Sequence, residues 1–438
     1  MIRLFDFSLQ LNGFPMKKAS SELQKRIDVS EEKYSEFIEL RKKEIVDFHL
    51  KNNSFYKALA KVDSYKNWSD LPILTKRNLQ IPLNKRLSDT FTSKNVYINK
   101  TSGSSGDPMV FAKDKFSHAV TWADYKRLFS LHEIDFNYSF QARFYGMPLT
   151  FLANKKLRFK DFLSRRYRFN IFDLSDKGLE KITNQFQKKK FDYINGYTSN
   201  IVLLAKYLQQ KNKILVEICP SLKVCVVTSE MLFEEDKILL ERQLGVPVVN
   251  EYGSSEIGII AFENPDGEWM VNSETLFVEI LDENNLPVPH GNEGRIVVTS
   301  LDNKAHPFIR YEVGDYGILD EKSTLKKPIL KKLIGRTSDV AVLPSGKKSP
   351  GMTFYSITKK LFEGEGNIKE FIIKQIEIDL FEIEYTSEKE LSSTEIKNIE
   401  KEFSNYLEPN LKYIFIRKEK LERGKSGKLK QFISLVKK

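Results

Sequence analysis

Cysteine is nearly absent from this 438-residue chain, which has only Cys219 and Cys225. Both lie in one apolar stretch, Ile218-Cys219-Pro220-Ser221-Leu222-Lys223-Val224-Cys225-Val226-Val227, with no histidine or further cysteine nearby. Two thiols cannot build a disulfide framework, and they read as small core hydrophobes in a reducing cytosol. A disulfide or a catalytic thiol is the lesser reading, with Lys223 the only close basic neighbour. Long hydrophobic runs are missing too: none approaches the roughly 20 residues that span a bilayer. At the N-terminus, Asp6 falls where a signal peptide needs an unbroken apolar stretch, and Gln10 and Asn12 interrupt it further. A cytoplasmic protein without a transmembrane segment is expected. Internal repeats, low-complexity tracts, zinc-finger spacings and RNP-type aromatic motifs are all lacking, which leaves nucleic-acid binding resting on charge alone.

What is present suits a soluble globular protein, with 41% hydrophobic and 29% charged residues, 31 Phe and 18 Tyr, and a mean hydropathy of −0.40. The length predicts two or three domains. The net charge of +11 has a bland account, a solvated lysine-rich surface, and a sharper one, attraction to polyanions such as nucleotide phosphates, coenzyme A or an acidic glycan. Its basic stretches, Lys155 to Lys160 with Arg165-Arg166-Tyr167-Arg168, Lys188-Lys189-Lys190, and Lys425 to Lys430, are scattered along the chain.

Residues 20–62 are charged and helix-periodic, with Leu23, Ile27, Tyr34, Phe37, Ile38 and Leu40 spaced for a buried stripe. Asp70-Leu71-Pro72-Ile73-Leu74-Thr75-Lys76 reads as a loop capping another helix. From about 96 to 335, short apolar runs (Val96–Ile98, Phe140–Tyr145, Leu222–Val227, Val246–Val249) alternate with helical patterns (Ser199–Gln210, Glu234–Leu244). That alternation predicts an α/β core with a largely parallel sheet. Around 270–335 the texture turns to short strands, with a tight turn at Asp282-Glu283-Asn284-Asn285. A boundary and hinge are expected near Gly335-Arg336-Thr337-Ser338-Asp339, so that 1–335 form a large domain and 336–438 a small one.

Five stretches carry chemistry. Thr101-Ser102-Gly103-Ser104-Ser105-Gly106-Asp107-Pro108 follows a strand-like segment, and its glycines and hydroxyls suit phosphate oxygens. It is not a Walker loop, and Gly424-Lys425-Ser426 lacks the upstream glycine of one. Asn250-Glu251-Tyr252-Gly253-Ser254-Ser255-Glu256 follows the expected strand Val246–Val249; a carboxylate at a strand's carboxyl end can hold Mg²⁺ against a polyphosphate, and Tyr252 offers a flat face to a base. In Phe308-Ile309-Arg310-Tyr311-Glu312-Val313-Gly314-Asp315 a carboxylate after a glycine turn can accept two ribose hydroxyls. Gly335 to Asp339 and Arg423-Gly424-Lys425-Ser426-Gly427-Lys428-Leu429-Lys430 complete the set; a lysine on a Gly-flanked loop can meet charge developing in a transition state. Taken singly, each is as easily a turn, a linker or a basic tail.

Together, in this order, they resemble the adenylate-forming superfamily of acyl-CoA synthetases, luciferases and peptide-synthetase adenylation domains. The phenylacetate–CoA ligase-like branch, with its capsular polysaccharide-associated members, is the most similar. The flanks His49-Leu50-Lys51-Asn52-Asn53-Ser54-Phe55-Tyr56, Leu71-Pro72-Ile73-Leu74-Thr75-Lys76 and Thr228-Ser229-Glu230-Met231-Leu232 extend the resemblance from about residue 45 to the end of the chain. It implies an α/β fold: a large N-terminal domain of mostly parallel sheets flanked by helices, with a β-rich part, and a small mobile α+β C-terminal domain. It implies ATP and Mg²⁺ as cofactors, with Thr101, Ser102, Gly103, Ser104, Ser105 and Gly106 on the β- and γ-phosphates. Tyr252, beside Gly253, would stack on adenine, Ser255 would touch the α-phosphate, and Glu256 would bind Mg²⁺. Asp315 would bind the ribose, Arg336 ribose or phosphate, and Asp339 would be the hinge. Lys428 would bridge carboxylate and α-phosphate, with Lys425 the alternative.

The implied reaction joins a small carboxylic acid to AMP and then passes the acyl group to coenzyme A, or to an amine or sugar of a polysaccharide pathway. It needs charge neutralisation rather than acid–base side chains, in keeping with only five histidines. Phe144 to Leu149 and Asn195-Gly196-Tyr197-Thr198 are candidate pocket segments, of a kind more often found in cores, and the Lys155–Arg168 cluster is a candidate for a coenzyme A phosphate or a glycan. The oligomeric state is open, a homodimer included. A non-catalytic nucleotide-binding protein is the alternative of another class.

Overall fold

A computed structural model describes residues 3–101, 108–146, 151–336, 340–350, 368–423 and 428–436. The chain divides into two compact units, Met1–Val313 with Gly317–Lys332, and Gly314–Tyr316 with Leu333–Lys438.

In the first unit, β1 (Val96–Lys100) and β2 (Val110–Asp114) pair as an antiparallel hairpin, with Lys100 opposite Val110. β3 (Gln141–Phe144), β4 (Arg166–Arg168), β5 (Tyr193–Tyr197), β6 (Val224–Thr228), β7 (Val248–Ser254), β8 (Gly258–Glu263) and β9 (Trp269–Val271) form a seven-stranded sheet in the order 4-3-5-6-7-8-9. The strands from β4 to β7 are parallel, and β8 and β9 return antiparallel. Every residue of β5 and β6 is buried, as expected when helices cover both faces of a parallel sheet.

One face packs Phe144, Ile194, Cys225 and Val227 against helices Asp176–Lys188, Thr198–Gln210 and Glu234–Leu244. The other packs Tyr193, Val224, Val226 and Val249 against helices Leu4–Leu11, Met16–Ile27 and Lys115–Ser130. The fold is mixed α/β. Both cysteines are free and buried in this core, and burial pushes the Cys225 thiol well above its ordinary range.

β10 (Leu276–Leu281), β11 (Glu293–Ser300), β12 (Tyr311–Leu319) and β13 (Leu330–Arg336) form a four-stranded sheet in that order. In the turn after β10 the Asp282 carboxylate accepts from the amides of Asn284 and Leu286, and Asn285 takes a φ of +63°. The second unit contains the hairpin β14 (Val340–Val342) and β15 (Lys348–Pro350). It also holds a sheet of β16 (Ile368–Gln375), β17 (Leu380–Ser387), β18 (Lys412–Arg417) and β19 (Phe432–Ser434), ordered 18-17-16-19. Helix Ser393–Tyr406, started by a Ser392–Glu395 capping box, contributes Phe403, which stacks on Tyr413 at 4.8 Å. Among the described residues no helix is long and apolar enough to cross a membrane.

Four sequence expectations are corrected. Leu40 is 56% exposed, because two residues beyond the buried Ile38 a helix has turned about 200°. The stripe of helix Glu31–Asn52 instead runs through Tyr34, Ile38, Lys42, Ile45 and His49, and the Lys42 ammonium sits 4.3 Å over the rings of both Trp68 and Phe277. No α-helix follows Asp70–Lys76: the Thr75 hydroxyl donates to Asn78 Oδ1 at 2.6 Å, closing a turn that Pro82 cannot extend as helix. The strand expected at Val246–Val249 begins only at Val248, after Gly245 caps the preceding helix at φ +72°, and it continues through Ser254, so the Asn250 stretch lies within it. Gly314-Asp315 is not a turn; both residues lie inside β12, where Gly314 takes a φ of +87°.

Candidate functional site

In the chain the Ser/Gly stretch falls between β1 and β2. Its base is clasped twice: the Thr101 amide donates to the Met109 carbonyl, and the Met109 amide donates to Thr101 Oγ1, both at 2.9 Å. Ser102, Gly103, Ser104, Ser105 and Gly106 lie outside the described residues. Farther along β2, Lys113 is buried and donates to the Ile257 carbonyl at 2.8 Å and to Thr121 Oγ1 at 3.2 Å. Burial lowers its ammonium to about 8, while the Glu256 carboxylate nearby acts in the opposite direction. The hairpin thus carries a cation to the turn that holds Glu256.

That turn joins β7 to β8. A register shift falls between Tyr252 and Gly253, and a Cβ on Gly253 would lie 2.3 Å from the Gly258 carbonyl oxygen, so only glycine fits. Tyr252 is 8% exposed and meets Trp269 edge-on, ring centroids 6.1 Å apart. Gly253 and Ser255 are exposed, and Glu256 between them and the core is 7% exposed. The Tyr311 hydroxyl donates to Glu256 Oε1 at 3.0 Å. The beginning of the third stretch therefore reaches the end of the second.

The same stretch is fastened from the other side. Leu74 bridges Tyr311, its amide donating to the Arg310 carbonyl and its carbonyl accepting from Glu312, both at 2.9 Å. Arg310 is buried, donates to the Leu71 carbonyl at 2.9 Å, and pairs with Glu279. Thr228-Ser229-Glu230 likewise meets its neighbours in space: the Glu230 carboxylate accepts from the Ser199 amide at 2.8 Å, and the Thr228 hydroxyl donates to Glu251 at 3.0 Å. Within the first unit the structure gathers Thr101's hairpin, Tyr252 to Glu256, and Tyr311.

The remaining expected residues are carried by the second unit. Asp315 is half-buried in β12, grouped with that unit. Arg336 ends β13, and Lys428 is half-buried, next to Leu429, which is packed with Ile372 and Leu421. Arg423, at the other end of that loop, pairs with Glu370. Asp339, the alternative Lys425, and Met147 to Leu149 of one pocket segment lie outside the described residues. Of that segment, Phe144 is core, fully buried against Phe169. Of the basic cluster, Arg168 is spoken for by the buried Asp161, at 2.8 Å.

No family model matches the chain. In sequence it is 24% identical over 323 residues to Protein CapK of Staphylococcus aureus, covering 68% of this chain and 67% of that one. It is 30% identical over 129 residues to a phenylacetate-coenzyme A ligase of Aromatoleum evansii, covering 28% and 29%. A 2-hydroxyisobutyryl-CoA ligase, crystallised in its postadenylation state with 2-HIB-AMP, superposes with a TM-score of 0.69 at 15% identity, covering 92% of this chain and 89% of that one. This is an adenylate-forming fold. The similarity in sequence to CapK and to a phenylacetate-coenzyme A ligase supports the resemblance to the phenylacetate–CoA ligase-like branch of the adenylate-forming superfamily. An amide bond synthetase from Marinactinospora thermotolerans shares the fold at a TM-score of 0.54 and 13% identity, over 76% of this chain and 67% of that one.

Sequence reading missed Lys113 and part of a second group, of which its candidate stretches hold Tyr145, Asn195 and Glu251 but neither Gln141 nor Arg143. Lys113 gave no signal, because a lysine in a short strand is normally solvated and only the fold buries it beside Glu256. The second group is a polar layer along one face of β3, β5, β6 and β7. There Gln141 and Tyr145 both donate to Asn195 Oδ1 at 3.1 Å, and the Arg143 guanidinium lies 4.0 Å over the Tyr145 ring. Period-two spacing of Gln141, Arg143 and Tyr145 was the available signal, since it puts three polar groups on one strand face.

Proposed function

We propose that this chain is an AMP-forming carboxylate ligase: it activates a small carboxylic acid with ATP as the acyl-adenylate, releases pyrophosphate, and transfers the acyl group to coenzyme A. One observation carries the reading, the meeting of three distant stretches at the β7–β8 turn: Lys113 of the β1–β2 hairpin donates to the Ile257 carbonyl, and Tyr311 at the start of β12 donates to the buried Glu256 carboxylate. Mg²⁺ is commonly held by one or two carboxylates with the rest of its shell from phosphate and water. A single acid at the end of a turn fits that demand, and among the described residues no group of three or more acidic, histidine or cysteine side chains could hold a metal instead. Bound there by Glu256, the ion would neutralise charge on the phosphates.

The acid's carboxylate oxygen attacks the α-phosphorus, the bond to the bridging oxygen of pyrophosphate breaks, and pyrophosphate leaves with its electron pair. Thr101 to Gly106 hold the β- and γ-phosphates, Ser255 the α-phosphate, Tyr252 the base, Asp315 the ribose, and Arg336 ribose or phosphate. Lys428 sits between carboxylate and α-phosphate, and the second unit turns about Asp339 to admit the acceptor, whose thiol displaces AMP. Residues 1–335 and 336–438 are the two domains of this cycle, and it runs in the cytoplasm. An amine acceptor is a second reading, supported by the fold shared with an amide bond synthetase.

The test is exchange of labelled pyrophosphate into ATP over a panel of aryl, fatty, amino and hydroxy acids, followed by product analysis with and without coenzyme A. Acid-dependent exchange is expected. ATP binding without exchange for any acid would sink the enzymatic reading in favour of a nucleotide-binding protein.

A further inference from the structure

The polar layer beside the Glu256 site is unusual for a place where a parallel sheet meets a covering helix. Arg143 on β3 and Glu251 on β7 project from the same sheet face, because the parallel register matches Arg143 with Asn195, Asn195 with Val226, and Thr228 with Glu251. Two strands lie between them. Among the described residues they make no ion pair with each other, although each lies within electrostatic reach of the other. Glu251 is satisfied on Oε1 by the Thr228 hydroxyl at 3.0 Å. Among the described residues Arg143 donates to Gln141 at 3.1 Å, and its buried Nε has no acceptor. A buried donor with nothing to donate to is costly unless a ligand completes it.

The layer also has the right address. It runs along the sheet face from Arg143, level with the middle of β5 and β6, to Glu251, level with the carboxyl ends of those strands, the side on which open α/β sheets bind ligands. Helix Lys115–Ser130 ties it to the Glu256 turn. Thr121 accepts from Lys113 beside Glu256, and Tyr125, one helical turn on, feels the charges of Glu251, Tyr145 and Arg143. One turn of the same helix therefore touches both groups.

Resting on the adenylation reading above, we propose that the acid activated by this chain carries a hydroxyl group, bound between the Arg143 guanidinium and the Glu251 carboxyl, and that these two residues set acid specificity. The charge pattern selects the group. An ammonium meets the fixed cation of Arg143, and a second carboxylate meets Glu251. A hydroxyl donates to Glu251 and accepts from Arg143 at once. Tyr145 and Tyr197, with ring centroids 4.8 Å apart, border the same layer and offer aromatic faces to the acid's carbon frame.

The experiment uses the full chain and matched pairs of acids that differ only by a hydroxyl: 4-hydroxyphenylacetate with phenylacetate, 3-hydroxybenzoate with benzoate, 3-hydroxybutyrate with butyrate. The kcat/KM for pyrophosphate release is measured for each. In at least one pair the hydroxy acid is expected to be favoured about 10- to 100-fold, the range of an unpaired buried polar group. Arg143→Met and the isosteric Glu251→Gln should each shrink that ratio about tenfold. The ratio is taken within one preparation, so a partly folded sample does not distort it. Should Arg143→Met not fold, the wild-type ratios and Glu251→Gln still decide. Ratios near one in every pair, a ratio unchanged in Glu251→Gln, or a preference for amino or dicarboxylic acids would overturn the proposal and leave adenylation standing. No release with any acid overturns both.

Discussion

Gly253 stands where a single methyl group has nowhere to go. The Cβ of an alanine would lie 2.3 Å from a backbone oxygen across the β7–β8 pairing, and backbone cannot step aside as a side chain can. Gly253→Ala is expected to cost roughly 1–3 kcal/mol by the strain of forcing atoms into filled space. It should reduce acid-dependent exchange by more than that loss implies, because Ser255 and Glu256 follow directly; thermal melts and exchange rates on one preparation separate the two. Glu251 gives a pH signature. Burial raises its carboxyl to about 7, against the lowering effects of Thr228 and Arg143, while Tyr125, Tyr145 and Tyr193 also face it. The folded state holds this proton longer than the unfolded chain does, so ionisation destabilises the fold progressively between the ordinary carboxylate value and about 7. Glu251→Gln should therefore gain in melting temperature over wild type across that interval and level off above it. A difference that does not vary with pH would show that Glu251 keeps an ordinary value.

At the scale of elements, the N-terminal helices are fastened by charge as well as by packing. Arg26 on helix Met16–Ile27 makes a two-pronged pair with Asp302, 2.7 Å on each prong, and Arg41 on the next helix reaches the same carboxylate at 2.8 Å. Asp302 lies just beyond β11, so one buried acid joins two helices to the four-stranded sheet. Asp302→Ala leaves a buried guanidinium without its counter-charge and is expected to cost about 3–5 kcal/mol, read from the midpoint of urea unfolding. A change under about 1 kcal/mol, the worth of an exposed pair, would show that water reaches the site.

For the molecule as a whole, the chemistry proposed above needs residues from both units, and Lys428 is the one whose loss separates fold from function. Its neighbours hold the segment without it: Leu429 is buried in an apolar cluster and Arg423 is paired with Glu370. Lys428→Ala should melt like wild type and lose about 10²–10³ in acid-dependent pyrophosphate release, the usual effect of removing one charged contact to a transition state. Lys425→Ala should lose far less. Equal losses in the two variants would move the role away from Lys428.

Much of this protein was legible from residue order. The strand–helix alternation, the all-apolar runs of β5 and β6, and the core position of both cysteines follow from patterning over neighbouring residues, because burial on both faces demands continuous hydrophobicity. The five chemical stretches were visible because glycine, hydroxyl and carboxylate groups in tight succession suit phosphate and ribose. Boundaries were less legible. Pro247 and the Gly245 cap delayed β7, and Gly314 read as a turn where the chain stays extended. Tertiary structure alone decided which side chains share a space. Lys113 beside Glu256, Tyr311 on the same carboxylate, and Arg143 across two strands from Glu251 join residues separated by tens to hundreds of positions. A lysine in a sequence carries no mark of being buried; only the packing of helix Lys115–Ser130 on the sheet face, with Thr121 on the Lys113 ammonium, encloses that charge and gives it its effect.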